Sequence, residues 1–400
     1  MNSLDLNRIR TLECPVKAVT RGPKNYYFGY YDRCPWDATG RYLLALETDF
    51  IDRPPNAEDK AVIGMIDTYE ADRWTRLDET VAWNWQMGCN MLWLPSAPVR
   101  EIAYNIREDG QWKSVIRDVF SGKARTLPRP ISHVSPDGRW AVSINFARIA
   151  RERPGYGYEG IKDRWEHEFA PDGDGVWLMD MRTGGYSLVL SLAQCAAFKP
   201  LPTMAGVHHR IYDLRFSPDS RRVAFIHRWR QQDQPAGGCH HTRWMSMNRE
   251  GSGLFVLNDH GMVSHNCWRD DQTLLSWARR RGRGDHYYLN RDRVDEEPEI
   301  LGETVFDGDG HCTYSPDGKW MLTDTYPDEN RFRHLMLYRI ADQMRFNIGK
   351  FFSRKEIDGQ IRSDLHPRFS RDGKRVCIDS IHEGPRGMYV VDIASVVEGG

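Results

Sequence analysis

The sequence predicts an all-β fold: a seven-bladed β-propeller of four-stranded antiparallel blades around a central channel. Three observations predict it. A turn of the Ser-Pro-Asp-Gly type recurs seven times along the 400 residues, at intervals of about 40 to 55 with one gap near 80. Each turn opens into a short apolar or alternating strand, and a further strand ending near an acidic residue follows. Three histidines occupy the same address in three successive repeats.

In chain order, the first turn is Pro35-Trp36-Asp37-Ala38-Thr39-Gly40, and a weak second lies around Trp93-Leu94-Pro95. Ser135-Pro136-Asp137-Gly138 and Ser217-Pro218-Asp219-Ser220 are the third and fourth. Arg269-Asp270-Asp271, Ser315-Pro316-Asp317-Gly318 and Ser370-Arg371-Asp372-Gly373 complete the series. Strands are expected directly after them at 42–46, 140–144, 223–226, 320–323 and 376–378, and later in the repeat at 175–180 and 387–392. A period of this length suits one four-stranded sheet per repeat, and radial closure of seven such sheets removes long exposed edges. Helices are expected to be scarce, a turn or two at 353–357 or 394–397. The chain reads as one propeller domain over 1–400, with a long insertion at about 145–175 in blade three. Tyr156-Gly157-Tyr158 in that insertion is expected to form a lip over the mouth of the channel, since long loops in compact folds commonly carry function.

Composition narrows the function. Lys plus Arg is 55 against 56 for Asp plus Glu, so charge gives no reason to expect a nucleic-acid or membrane-surface partner. No apolar run approaches the roughly 20 residues of a membrane span, and the first residues lack the basic-then-apolar pattern of a secretory signal. The expected location is cytoplasmic. The eight cysteines include no C-x-x-C pair and read as reduced thiols or an occasional metal ligand. Fourteen tryptophans and seventeen tyrosines suit packing between sheets and, secondarily, a sugar-binding wall.

His265, His311 and His366 each lie six residues before the turn aspartate of their repeat. Equivalent positions on the first strands of neighbouring blades ring the channel, so blades five, six and seven would bring three imidazoles together. That donor set suits Zn²⁺, Mn²⁺ or another divalent cation. Water, Asp364, Cys312 or Cys267 could supply a fourth ligand. The plainer alternative is three separate strand histidines bonded to backbone carbonyls. Blade four has Asp213 at this address, inside Val207-His208-His209-Arg210-Ile211-Tyr212-Asp213, and later carries His227 and Arg243. A histidine here could act as a base near neutral pH and an arginine could grip a carboxylate. The alternative is a set of inter-blade ion pairs. Arg279-Arg280-Arg281-Gly282-Arg283 reads as a solvated hairpin tip. No P-loop, G-x-S-x-G elbow or H-E-x-x-H motif is present.

Ser264-His265-x-x-Trp268, Asp309-Gly310-His311 and Asp364-Leu365-His366-Pro367-x-Phe369 resemble the oligogalacturonate lyases and the related seven-bladed ulvan lyases. So does the blade-four stretch from Phe225-Ile226-His227 to Thr242-Arg243-Trp244. The resemblance covers roughly 200–395. It implies cleavage of a uronate-containing polymer by β-elimination and a divalent metal beside the channel. One departure is plain: where oligogalacturonate lyases carry a Gln and a His-Pro-His pair in the last blade, this chain has Arg362, Asp364 and His366.

The expected function is therefore a polysaccharide or oligosaccharide lyase acting on an acidic glycan. An arginine or the metal must neutralise the uronate carboxylate before the C5 proton can leave, the logic of an oxyanion hole. Arg210 or Arg243 would neutralise, His209 or His227 would be the base, and Tyr158 would protonate the leaving oxygen. The metal ligands would be His265, His311 and His366 with Cys312. The alternatives are a propeller glycoside hydrolase acting on a uronate-linked sugar, or a TolB-like interaction propeller with a structural metal.

Overall fold

The computed structural model describes residues 4–399. Seven antiparallel sheets stand in a ring, each ordered from an inner strand at the channel to an outer strand at the rim. Blade one comprises Asn25–Tyr27, Tyr42–Thr48, Ala61–Asp67 and Arg73–Thr80. Blades two to five follow in chain order from inner strands Leu92–Trp93, His133–Val134, His209–Phe216 and Val263–Trp268. Blades six and seven begin at Thr313–Tyr314 and Arg368–Phe369.

The repeated turn has a local chemical cause. In Ser135-Pro136-Asp137-Gly138 the serine hydroxyl donates to Asp137 Oδ1 at 2.5 Å and accepts from the Trp140 amide at 2.9 Å. Asp137 Oδ1 also accepts from the Arg139 amide at 2.9 Å, and Gly138 takes a φ of 71° that closes the turn. The hydroxyl-to-carboxylate bond recurs in Ser217/Asp219, Ser315/Asp317 and Ser370/Asp372 at 2.5 to 2.6 Å. In blade four Ser220 takes the left-handed position at φ 64°. The turn signal therefore marks the entry from inner to second strand in blades three, four, six and seven.

The ring closes with a segment that the sequence pattern did not reveal. Val16–Ala18 is the outer strand of blade seven, paired antiparallel with Gly387–Asp392, and Ile9–Thr11 adds a parallel fifth strand outside blade six. The amino-terminal segment thus ties the last blades to the first.

Helices differ in part from expectation. The carboxy-terminal Ala394–Glu398 is helical, whereas 353–357 forms turns only. Two others flank the outer two strands of blade three, one inside that blade and one on the way to blade four. Phe146–Glu152 lies inside the insertion, capped by Asn145. Leu192–Ala197 starts from a capping box of Ser191 with Gln194. Buried Arg148 ties the first of these to blade four, donating to the His209 carbonyl at 2.7 Å and the Phe169 carbonyl at 2.8 Å. The insertion is therefore held against the ring by buried polar bonds.

Candidate functional site

The three histidines converge. His265 and His311 have ring centroids 4.0 Å apart, and His311 and His366 4.4 Å apart. All three are buried. Two are aimed by carboxylates behind them. His265 Nδ1 donates to Asp309 Oδ1 at 2.9 Å, and His311 Nδ1 donates to Asp324 Oδ1 at 2.8 Å. The Asp324 carboxylate also accepts the His311 amide at 2.8 Å, locking ring and backbone together. In this tautomer Nε2 carries the free lone pair, and neither His311 Nε2 nor His366 Nε2 has a hydrogen-bond partner. Buried polar atoms without a partner are costly, and a carboxylate–histidine pair presenting a bare nitrogen is how metal-binding imidazoles are held. The backbone at His366 is itself strained, at φ 43°.

Charge supports the same reading. Burial holds the His311 imidazole below its usual range and His366 far below it, so both are neutral near pH 7. Burial also pulls His265 down, but the Asp309 carboxylate more than offsets it. Asp364 joins His311 and His366, the three offering ligand atoms that lie within 4.8 Å of one another. Arg362 Nε donates to its Oδ2 at 2.7 Å, and Arg333 stands 2.8 Å from its Oδ1, an oxygen that accepts no hydrogen bond. The donor set of His311, His366 and Asp364 fits a divalent cation, with the His265 ring adjacent to it and outside those three. Cys312, expected as a ligand, is placed outside this group. It packs with Cys267, Met321 and Tyr287 in an apolar cluster, where burial and Cys267 push its thiol well up.

Tyr30 and Tyr31, just beyond the inner strand of blade one, wall the cluster. Tyr30 lies 5.1 Å from the His366 ring, and Tyr31 lies 5.6 and 5.1 Å from His265 and His311. The Tyr31 hydroxyl accepts from the Asn266 amide at 2.9 Å, fixing it across the channel.

The insertion brings Tyr156 to this place. Its ring lies under Arg153 at 4.0 Å, and its hydroxyl accepts from Arg362 at 2.7 Å. Burial raises the phenol, but Arg362 and Arg153 together outweigh it and bring Tyr156 down to about 8. Tyr158 points elsewhere. Gly157 passes so close to the insertion helix that a Cβ would come 2.1 Å from the Ala150 amide nitrogen. Beyond it Tyr158 stacks on Phe146, 4.3 Å between centroids, with its hydroxyl bonded by Asn90 and Asn105. Burial raises that phenol, and it takes no place at the mouth.

Blade four separates into two sets. Arg210 is 2% exposed, its Nε has no acceptor, and no carboxylate pairs with it among the described residues. Burial and the neighbouring Arg228 and Arg153 lower it to about 9. Arg153 and Arg228 both lie against Tyr212, at 5.0 and 4.9 Å. The three guanidiniums gather beside Tyr156, and burial with their field brings His240 down to about 2. The second set is closed on itself. Arg243 Nε donates to His227 Nδ1 at 3.0 Å, His227 Nε2 to His209 Nδ1 at 2.9 Å, and His209 Nε2 to the Met204 carbonyl at 2.9 Å. The other nitrogens of Arg243 cap helix Leu192–Ala197 and its exit through the carbonyls of Cys195, Phe198 and Lys199. His209, His227 and Arg243 thus have their polar atoms committed to holding structure. Asp213, at the register of the three histidines, bonds Arg215 and Asn266 at 2.9 Å each.

Sequence reasoning missed Asp309, Asp324, Tyr156 and the Arg153/Arg228 pair. Tyr156 carried a signal as a member of the Tyr-Gly-Tyr lip, and Asp309 as part of the Asp309-Gly310-His311 motif, though with no role assigned to it.

A seven-bladed propeller with a buried histidine cluster at the channel is the class these features define. No protein-family model matches the chain, and no curated protein matches it. Solved structures do. An oligogalacturonate lyase in complex with manganese aligns over 99% of this chain and 98% of that one, with TM-score 0.68 and 16% identity. An oligogalacturonate lyase from Vibrio parahaemolyticus aligns over 95% and 93%, with TM-score 0.66 and 15% identity. The propeller domain of the Trilobed protease from Pyrococcus furiosus aligns over 92% and 93%, with TM-score 0.53 and 10% identity. At these identities the likeness is one of fold. Among the described residues no helix is long and apolar enough to cross a membrane.

Proposed function

We propose that the protein is a lyase that cleaves a uronate-containing oligosaccharide or polysaccharide by β-elimination. The observation that carries this reading is the juxtaposition of unpartnered imidazole nitrogens and unpaired buried arginines, with Tyr156 between them. The likeness in fold to oligogalacturonate lyases, one of them a manganese complex, supports it.

The C5 proton of a uronate is poorly acidic while the adjacent carboxylate keeps its charge. Arg210, with Arg153 and Arg228 beside it, is suited to receive a substrate carboxylate, because that is the partner these buried guanidiniums lack. A divalent cation, Zn²⁺ or Mn²⁺, held by His311, His366 and Asp364 with the adjacent His265 would supply further neutralisation of the charge that builds on the carboxylate. Tyr156 is the proton carrier. Its phenolate is within reach near neutral pH, so it can accept the C5 proton and, as a phenol, return it to the leaving oxygen. Arg362 keeps it oriented, and Tyr30 and Tyr31 exclude water behind the reacting ring. This role replaces the expected base at His209 or His227 and the expected acid at Tyr158, whose polar atoms are already bonded.

The test is the ultraviolet absorbance of the unsaturated product when the purified protein, as isolated and after chelation, meets a panel of uronate oligosaccharides. A rise that chelation abolishes is expected. Release of saturated sugars without that absorbance would replace the lyase with a hydrolase, and no turnover on any member would leave a binding propeller.

A further inference from the structure

A second place on the molecule has the chemistry of an acidic sugar site and lies outside the channel. Between blades two and three, under the far end of the insertion, is a cavity of about 540 Å³ lined in part by Trp112, Arg129, Arg164, Trp165, Trp177 and Tyr186. That volume is ordinary for a small-molecule site.

Three cations line it: Lys162 is paired with Glu166, and each of the two arginines is spread on an indole. Arg129 Cζ stands 4.1 Å from the Trp177 ring and 5.4 Å from Tyr186. Arg164 Cζ stands 4.7 Å from Trp165. Neither arginine has a carboxylate partner among the described residues, whereas Arg100 and Arg117 of blade two are paired with Asp118 and Asp78. The one polar contact of the Arg129 guanidinium is a long bond from Nε to Ser143 Oγ, 3.4 Å, so its terminal nitrogens are uncommitted. Asp174, which also lines the cavity and whose charge acts on Arg129, accepts from Asn145 Nδ2 and the Gly175 amide at 2.9 Å each and forms no ion pair with that arginine. Trp112 and Trp177 line it too, and the indole nitrogen of each lacks an acceptor. The wall is fitted closely: a Cβ on Gly173 would meet the Trp165 ring at 2.5 Å.

Flat aromatic faces accept the apolar face of a pyranose, and a guanidinium with one face covered still offers its edge to a carboxylate in bidentate fashion. From this combination we infer that the cavity is a second, non-catalytic subsite for a uronate residue, whose carboxylate is held by Arg129 and Arg164 and whose ring rests on the neighbouring aromatics. The insertion that supplies Arg153 and Tyr156 to the channel mouth also supplies Arg164 and Trp165 here. The choice of a uronate rests on the reading of the channel as acting on acidic glycans, but the cavity stands on its own residues.

Calorimetric titration of the full chain with trigalacturonate, and with neutral maltotriose as control, tests it. Arg129→Gln and Arg164→Gln probe the cavity, and Arg210→Gln probes the channel. Two trigalacturonate sites per chain are expected, with no comparable maltotriose binding. Either cavity variant should weaken one site at least about 10-fold while R210Q leaves that site intact. A single site that R210Q removes and both cavity variants preserve would overturn the subsite and keep the channel reading. Equal binding of maltotriose would overturn the role of the arginines, and no binding of either sugar would overturn both readings. The exposed Arg164 makes its variant safe for folding, and the melting temperature of each variant checks this.

Discussion

Blade four and the cluster of blades five to seven contain the same kinds of side chain, buried to the same degree, and they do opposite things. His209 and His227 are 2% and 0% exposed, His311 and His366 1% and 2%. The blade-four rings pass hydrogen bonds from Arg243 to the Met204 carbonyl and leave no ring nitrogen over. His311 spends Nδ1 on Asp324 and keeps Nε2 bare, and His366 Nε2 is bare as well. Burial alone therefore does not separate a structural histidine from a functional one. The unspent nitrogen does.

The largest effect that would break this contrast lies in the bare set. His311→Ala should remove bound metal and lower lyase turnover by about 10³-fold or more, because several kcal/mol of charge stabilisation go with it. Its melting temperature should fall as well, because the buried Asp324 carboxylate loses its ring partner, so folding of the variant is checked alongside. Metal analysis and product absorbance on one preparation check it; retained metal with full activity would dissolve the distinction.

Tyr156→Phe comes next. It keeps the ring under Arg153 and removes the phenol oxygen, so turnover should fall about 10²-fold with the metal still bound. The pH profile sharpens the point. With the phenol lowered to about 8, the base form grows as pH rises through that value, so the wild-type rate should climb there and level off above it. The rate left in Y156F should lack that inflection. The Tyr158→Phe variant, which loses only bonds to Asn90 and Asn105, should keep the profile and lose stability.

The contrast also explains what the sequence made legible. The fold could be read because its marker is local: Ser, Asp and Gly within four residues build the turn by their own bonds. The histidine cluster could be read because rotational repetition turns an equal offset in sequence into proximity in space. What remained hidden depends on partners distant in the chain. Asp309 is two residues from His311, yet it orients His265 of the preceding blade, 44 positions away. Tyr156 and Tyr158 look equivalent until the close passage of Gly157 along a helix sends one to Arg362 and the other to Asn90 and Asn105. That helix, Phe146–Glu152, is only seven residues long, too short for a helical period to stand out in the sequence. The dense His/Arg run of blade four looked catalytic because its partners are distant too: whether Arg243 caps a helix or meets a substrate is decided by residues 195–199.

In blade four the expected effect is on stability. Burial brings His209 down to about 4 from an ordinary 6.5, so the unfolded chain binds protons that the folded one refuses. The stabilisation is fully present above about pH 6.5 and is lost as pH falls toward 4, a change of roughly 3 kcal/mol when complete. His209→Gln keeps a side chain able to bond and cannot titrate. Its urea midpoint should therefore fall less between pH 7 and 4.5 than that of the wild type, while its turnover at pH 7 stays near normal. A collapse of turnover in a folded H209Q would return the base to blade four.

The smallest expected effect tests the carboxylates behind the rings. Asp309→Asn can still accept from His265 Nδ1 but no longer carries the charge that raises the imidazole. Metal affinity should drop about 10- to 100-fold with the fold unchanged, measured by competition with a chelator. Asp324→Asn should cost affinity too, and stability with it, because that carboxylate also receives the His311 amide. The two variants thus differ in one respect that matters: Asp309 orients a ring alone, whereas Asp324 fixes ring and backbone together. If both left affinity untouched, the bare nitrogens would not be metal ligands. They would then be acceptors for a substrate hydroxyl.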